Sequence, residues 1–105
     1  MVSDLVLFDS LEKTASNRKL LHEMIEKYIS VAALRLGMSN AELTTLTGYN
    51  RSKIGGLVTR LDAQASDDDR RPASDPVAGR ARIERELPTL TKLHADADPS
   101  HRTFA

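Results

Sequence analysis

Neither cysteine nor tryptophan occurs in the chain, and only four of its 105 residues are aromatic. Without cysteine there is no disulfide framework and no thiolate zinc site, which fits a protein of a reducing compartment. Few aromatics and 40% apolar residues suit a modest helical core rather than a large ligand-enclosing fold. No stretch approaches the ~18 continuous apolar residues that a membrane helix needs, so no membrane association is expected. The N-terminus MVSDLVLFDS lacks a basic region and its apolar run is broken by Asp4, a poor match to a signal peptide. A cytoplasmic location is therefore expected. His22, His94 and His101 are scattered, and none stands with carboxylates at metal-ligand spacing. No GxSxG, Walker or GxGxxG motif is present. Enzymatic activity, a metal, a cofactor and a small-molecule ligand are all unexpected.

An excess of one charge is missing too, since 15 Lys and Arg balance 15 Asp and Glu. The distribution is uneven. Residues 11–61 hold eight basic residues against four glutamates, a net of +4. Residues 62–86 carry a net of −2, and the two ends together another −2. A positive half beside a mildly acidic half matches an electrostatic footprint on nucleic acid with a separate tail.

The stretch Gly37–Leu61, GMSNAELTTLTGYNRSKIGGLVTRL, is the most structured signal. Ser39 followed by Glu42 is a capping box, whose hydroxyl and carboxylate satisfy amides that a first helical turn leaves unpaired. Met38 and Leu43 are placed as a hydrophobic staple, and Gly48 closes this helix where a left-handed residue costs least. A second helix begins after Asn50 as N-cap, with Tyr49 and Ile54 as its staple. Ile54, Leu57, Val58 and Leu61 form one apolar stripe, and Arg51, Lys53 and Arg60 lie off it. Between Glu42 and Asp62 there is no acidic residue.

Upstream, Leu21, Ile25, Tyr28, Ile29, Ala32 and Leu36 recur at helical spacing and predict a long helix from about Ser10 to Leu36. Its outer side carries Lys13, Lys19, Glu23, Glu26 and Lys27, with Glu23 and Lys27 spaced for i,i+4 pairing. Residues 1–9 form an apolar arm whose conformation periodicity does not decide: strand, helical turn and oligomer contact all remain open. After Leu61, AQASDDDRRPASDPVAG reads as a flexible linker. Residues 77–87 are expected to form a short charged helix with few apolar positions, Val77, Ile83 and Leu87; another turn at Leu90 and Leu93 after Pro88 stays open, and the rest of 63–105 is expected to be mostly flexible tail. The predicted fold is all-α: a long N-terminal helix, then a helix-turn-helix pair within residues 10–62, then the tail.

On Ser39, Glu42, Leu43, Thr47, Gly48, Tyr49, Asn50, Arg51, Ser52, Ile54 and Leu57, the chain resembles the trihelical helix-turn-helix units of small bacterial and phage regulators and of resolvase/invertase-type recombinases. In that family the equivalents of Leu43, Ile54 and Leu57 pack the two helices together and the residues after the turn face DNA bases. The resemblance implies base-facing roles for Asn50, Arg51, Ser52, Gly55, Gly56 and Thr59. Lys53 and Arg60 are assigned to phosphates, as are Ser39 and Asn40 at a helix N-terminus. Two departures stand out. Thr44 replaces the usual Ala or Gly at the closest helix contact, which requires its hydroxyl to bond back to a carbonyl one turn earlier. Gly55 and Gly56 occupy recognition positions with no side chain to read a base, at ~1 kcal/mol each in helix propensity. A winged-helix variant lacks the alternating β-branched runs its two wing strands need.

The implied function is sequence-selective binding of double-stranded DNA, in a transcriptional regulator associated with the nucleoid and acting as a homodimer. The alternative from another class is a helical protein-interaction adaptor, antitoxin-like or polymerase-binding, whose basic helix meets an acidic partner.

Overall fold

Residues 14–96, those described by this computed structural model, contain four helices and no strand. The apolar arm at 1–9, the predicted helix start at 10–13 and the segment 97–105 lie outside them.

The first helix, α1 (Thr14–Ser30), continues into a wider π turn at Val31–Arg35. There the Leu36 amide donates to the Val31 carbonyl at 3.1 Å, and the Met38 amide reaches the Ala32 carbonyl at 2.9 Å. Gly37, at φ +65°, turns the chain out of the helix. The next helix, α2 (Asn40–Thr47), opens on the reciprocal cap. The Glu42 amide donates to Ser39 Oγ at 3.1 Å and the Ser39 amide to Glu42 Oε2 at 3.0 Å. Gly48 ends α2 at φ +73°, its amide donating to the Thr44 carbonyl. Only glycine takes this left-handed geometry without a Cβ clash. Then α3 (Arg51–Gln64) starts under Asn50, whose Oδ1 accepts from the Lys53 amide at 2.7 Å.

Ile25 and Ile29 from α1, Ala32 from the π turn, Met38 from the loop after it, Leu43 from α2 and Ile54 from α3 are all buried together. Ile83 and Leu87 complete that core from the last helix, α4 (Pro76–Asp96). The predicted short helix 77–87 is thus corrected to 21 residues, and the expected tail supplies a wall of the core. The helix runs through Pro88, although an interior proline loses a backbone bond and costs ~3 kcal/mol. Ile83 and Leu87 before it, and Thr91 after it, are buried, which keeps both halves of α4 on the bundle. Val77, expected among the apolar positions, is 81% exposed. The pairing of α1 with α4 is antiparallel: Leu36 lies at Gly79, Tyr28 at Glu86, and the His22 and His94 rings are 5.7 Å apart.

The expected flexible linker is instead a hydrogen-bonded connector. The Ser66 amide donates to Asp69 Oδ2 and the Asp69 amide to Ser66 Oγ, which holds the Asp69 carboxyl below its usual range. The Ala73 amide donates to the Arg35 carbonyl, tying the segment back to the end of α1. A second expectation also fails: no ion pair joins Glu23 to Lys27, and both side chains are exposed.

Across the α1–α4 seam, the Tyr28 hydroxyl donates to Glu86 Oε1, which also accepts from Arg82 Nε at 3.2 Å. The Tyr28 hydrogen bond, then that of Arg82, holds the Glu86 carboxyl below its usual value. A carboxyl held low in the fold adds stability at pH above its unfolded value and loses it as the pH falls through the lower folded one. Urea midpoints should therefore fall as the pH drops below the ordinary carboxylate range. Glu86→Gln should make that fall shallower. An unchanged slope in Glu86→Gln would remove this carboxylate from the acid response.

Candidate nucleic-acid interface

Thr44 donates its hydroxyl to the Asn40 carbonyl at 2.8 Å, the back-bond its place required. Thr47 does the same to the Leu43 carbonyl at 2.8 Å while accepting from the Tyr49 amide at 3.1 Å. These bonds satisfy hydroxyls beside the buried Leu43 and anchor the three-residue turn Gly48, Tyr49, Asn50. The turn in turn presents the N-terminus of α3. On α3, Ile54 is buried, Leu57, Val58 and Leu61 are partly buried, and the opposite side faces out. Ser52, Gly56 and Thr59 lie on that outer side and are exposed, with the half-exposed Gly55 beside them.

Arg51 stands at the first turn of α3, exposed, with no ion pair or side-chain hydrogen bond among the described residues. Lys53 is exposed too, its Nζ 3.9 Å from the centre of the Tyr49 ring. Tyr49 is half-buried, and burial pushes its hydroxyl pKa up, so it stays a neutral platform under the ammonium. Asp62, the first acid along α3, is held by Arg70 of the connector. The outward surface of α3 is therefore cationic at its start and carries no unpaired acid beside Arg51 and Lys53.

Three other predicted contacts are already engaged. Arg60 Nη2 donates to Glu26 Oε2 of α1 at 2.7 Å, and His22 Nε2 approaches the same oxygen at 2.7 Å. Burial raises the Glu26 pKa, but Arg60 and His22 together outweigh it and hold the carboxyl low. Arg60, expected at a phosphate, is thus a structural tie between α3 and α1. Ser39 spends its amide and hydroxyl on Glu42, and Glu42 accepts both Arg80 nitrogens, at 2.7 and 3.2 Å. A carboxylate thereby occupies the N-terminus of α2, where a phosphate was assigned to Ser39 and Asn40; Asn40 remains exposed. Asn50 Oδ1 is committed to capping, which removes its acceptor from base reading. Sequence reasoning missed the Glu26 and Arg80 partners, because neither lies within a helical turn of the residue it meets.

Gly55 and Gly56 have a different standing from the other described glycines. Gly37 and Gly48 are left-handed, and a Cβ on Gly79 would sit 3.1 Å from Leu36. A Cβ on Gly55 or Gly56 would meet nothing within 4 Å, and neither has positive φ. The fold thus accepts an ~1 kcal/mol propensity cost twice with no internal contact in return. Gly55→Ala/Gly56→Ala should raise stability by roughly 1–2 kcal/mol, read as a higher urea midpoint. A lower midpoint would mean the glycines serve the fold itself.

Among the described residues, no cluster of His, Cys, Asp and Glu is arranged to hold a metal ion, and no helix is long and apolar enough to cross a membrane. No protein-family model, curated protein or solved structure matches the chain.

Proposed function

We propose that the protein binds double-stranded DNA sequence-selectively, using α2 and α3 as a helix-turn-helix with α3 as the recognition helix, and acts as a transcriptional regulator. The observation that carries this reading is the outer face of α3, where Arg51 and Lys53 stand exposed beside two glycines that the fold does not need. Arg51, in the first turn, is the base reader; a guanidinium matches guanine O6 and N7 with two parallel hydrogen bonds. Lys53 supplies affinity at a phosphate. Ser52 and Thr59 are short donors beside them, and Gly55 and Gly56 let the helix backbone approach the groove closely. Arg60 joins only by sharing or leaving Glu26. A single unit of this size has a small interface, so the reading includes two copies on two half-sites about one helical turn apart.

The same small, flat surface at Gly55 and Gly56 also suits close packing of a partner helix, which supports the adaptor reading with an acidic protein as its partner. Selection of bound sites from a random duplex library separates the two. DNA binding predicts enrichment of a motif with paired half-sites. Failure of the protein to retard any duplex even at low salt decides for the adaptor, because phosphate attraction is strongest there.

A further inference from the structure

We propose that α1 pairs antiparallel with α1 of a second copy, across the exposed side that carries Leu20 and Met24. This deepens the homodimer part of the preceding reading by naming its surface. Leu20 is 55% exposed and Met24 38% exposed, on the flank of α1 that runs on to Val31. Beside them, between α1 and α4, is an open cleft of about 490 Å³ lined by Met24, Lys27, Tyr28, Val31, Gly79, Arg82 and Ile83. Arg82 on its rim is already paired with Glu86, so the one uncommitted charge in the cleft is Lys27. The Glu26 side of α1 holds α3 through Arg60, and lies on the far side of the helix from Leu20 and Met24.

What selects a second copy as the occupant is self-complementarity, which a two-fold interface requires of a single surface. Leu20 and the cleft level at Tyr28 are eight residues apart, about 12 Å along the helix. A two-fold axis across α1 level with Ile25 sets Leu20 of each copy at the level of residue 30 of the other, within the span of its cleft between Tyr28 and Val31. The same axis sets Glu23 opposite the second copy's Lys27, and Lys27 opposite its Glu23. Glu23 and Lys27 are exposed and unpaired with each other despite their i,i+4 spacing, so both are available for that exchange. Knob meets cleft and acid meets base under one operation, and both α3 helices stay outside.

Sedimentation equilibrium of the full chain without DNA tests this. The wild type is expected at twice the monomer mass, and Leu20→Asp should weaken association at least roughly tenfold. Glu23→Lys and Lys27→Glu should each weaken it, and the double charge swap should restore it, because like charges oppose in the single variants and opposite charges meet again in the double. Thermal melts followed by circular dichroism check folding; Glu23 and Lys27 are exposed, so the charge series stays decisive if Leu20→Asp unfolds. A wild type that stays monomeric at high micromolar concentration overturns the proposal. So do single swaps without effect, or a double swap no better than either single. Loss of the dimer on deleting residues 2–8, with Leu20→Asp still dimeric, overturns it in favour of the N-terminal arm. A monomer that still retards DNA removes this contact and leaves the DNA-binding reading standing.

Discussion

Leu87→Ala is expected to lower stability by about 2–5 kcal/mol, the cost of removing a buried leucine and leaving a cavity behind it. Leu87 is 0% exposed and meets the core formed by Ile25, Ile29, Leu43 and Ile54 from the other three helices. A domain of this size has only a modest reserve, so much of the variant is expected to unfold at room temperature. Leu87→Met, which conserves volume, should cost less than about 1.5 kcal/mol and gives a graded second point. Urea denaturation followed by far-ultraviolet circular dichroism reads both. Were α4 a loosely attached tail, each change would stay within the ±0.5 kcal/mol typical of surface positions. Leu87→Ala with a wild-type midpoint would therefore detach α4 from the domain, and with it the arrangement of α1.

Arg51→Ala carries the second large effect, this time on recognition. Loss of the proposed bidentate guanine contact should remove about 1–3 kcal/mol of discrimination at one base position, roughly fivefold to a hundred-and-fiftyfold between the preferred and a substituted site. Lys53→Ala should instead weaken all duplexes alike and reduce the salt slope by about one unit, the signature of a lost phosphate. Arg60→Ala is expected to change DNA affinity less than Lys53→Ala, because Glu26 holds that guanidinium in the free protein. Fluorescence anisotropy on a preferred and a scrambled duplex, across a salt series, measures all three. Equal losses on both duplexes for Arg51→Ala would make it a phosphate contact and leave α3 without a base reader. Arg51 and Lys53 are exposed and in no ion pair among the described residues, so melting curves should place those two variants near the wild type, whereas Arg60→Ala also loses its tie to Glu26.

The two central helices illustrate which interactions a linear sequence exposes. Ser39 with Glu42, Asn50 with the Lys53 amide, and the Gly48 turn all operate within three or four residues. Their geometry follows from residue type and spacing alone. The apolar rhythm of Ile25, Ile29 and Ala32 was legible for the same reason, since burial of one helix face repeats every turn. The fourth helix was not legible as a core element. Ile83, Leu87 and Leu90 keep the helical rhythm, but Pro88 reads locally as a stop, and the buried Thr91 reads as polar surface.

By itself, then, the chain of residues determined where α2 and α3 begin, where the turn between them falls, and which side of each is apolar. Only the tertiary structure decided that α4 continues past its proline, because burial against three other helices outweighs a local penalty. It also decided which cations stand unpaired. Arg60 meets a glutamate 34 positions away and Arg80 one 38 positions away, while Arg51 meets none among the described residues. Charge pairing depends on distance in space, and for residues so far apart along the chain that distance exists only once the helices have packed.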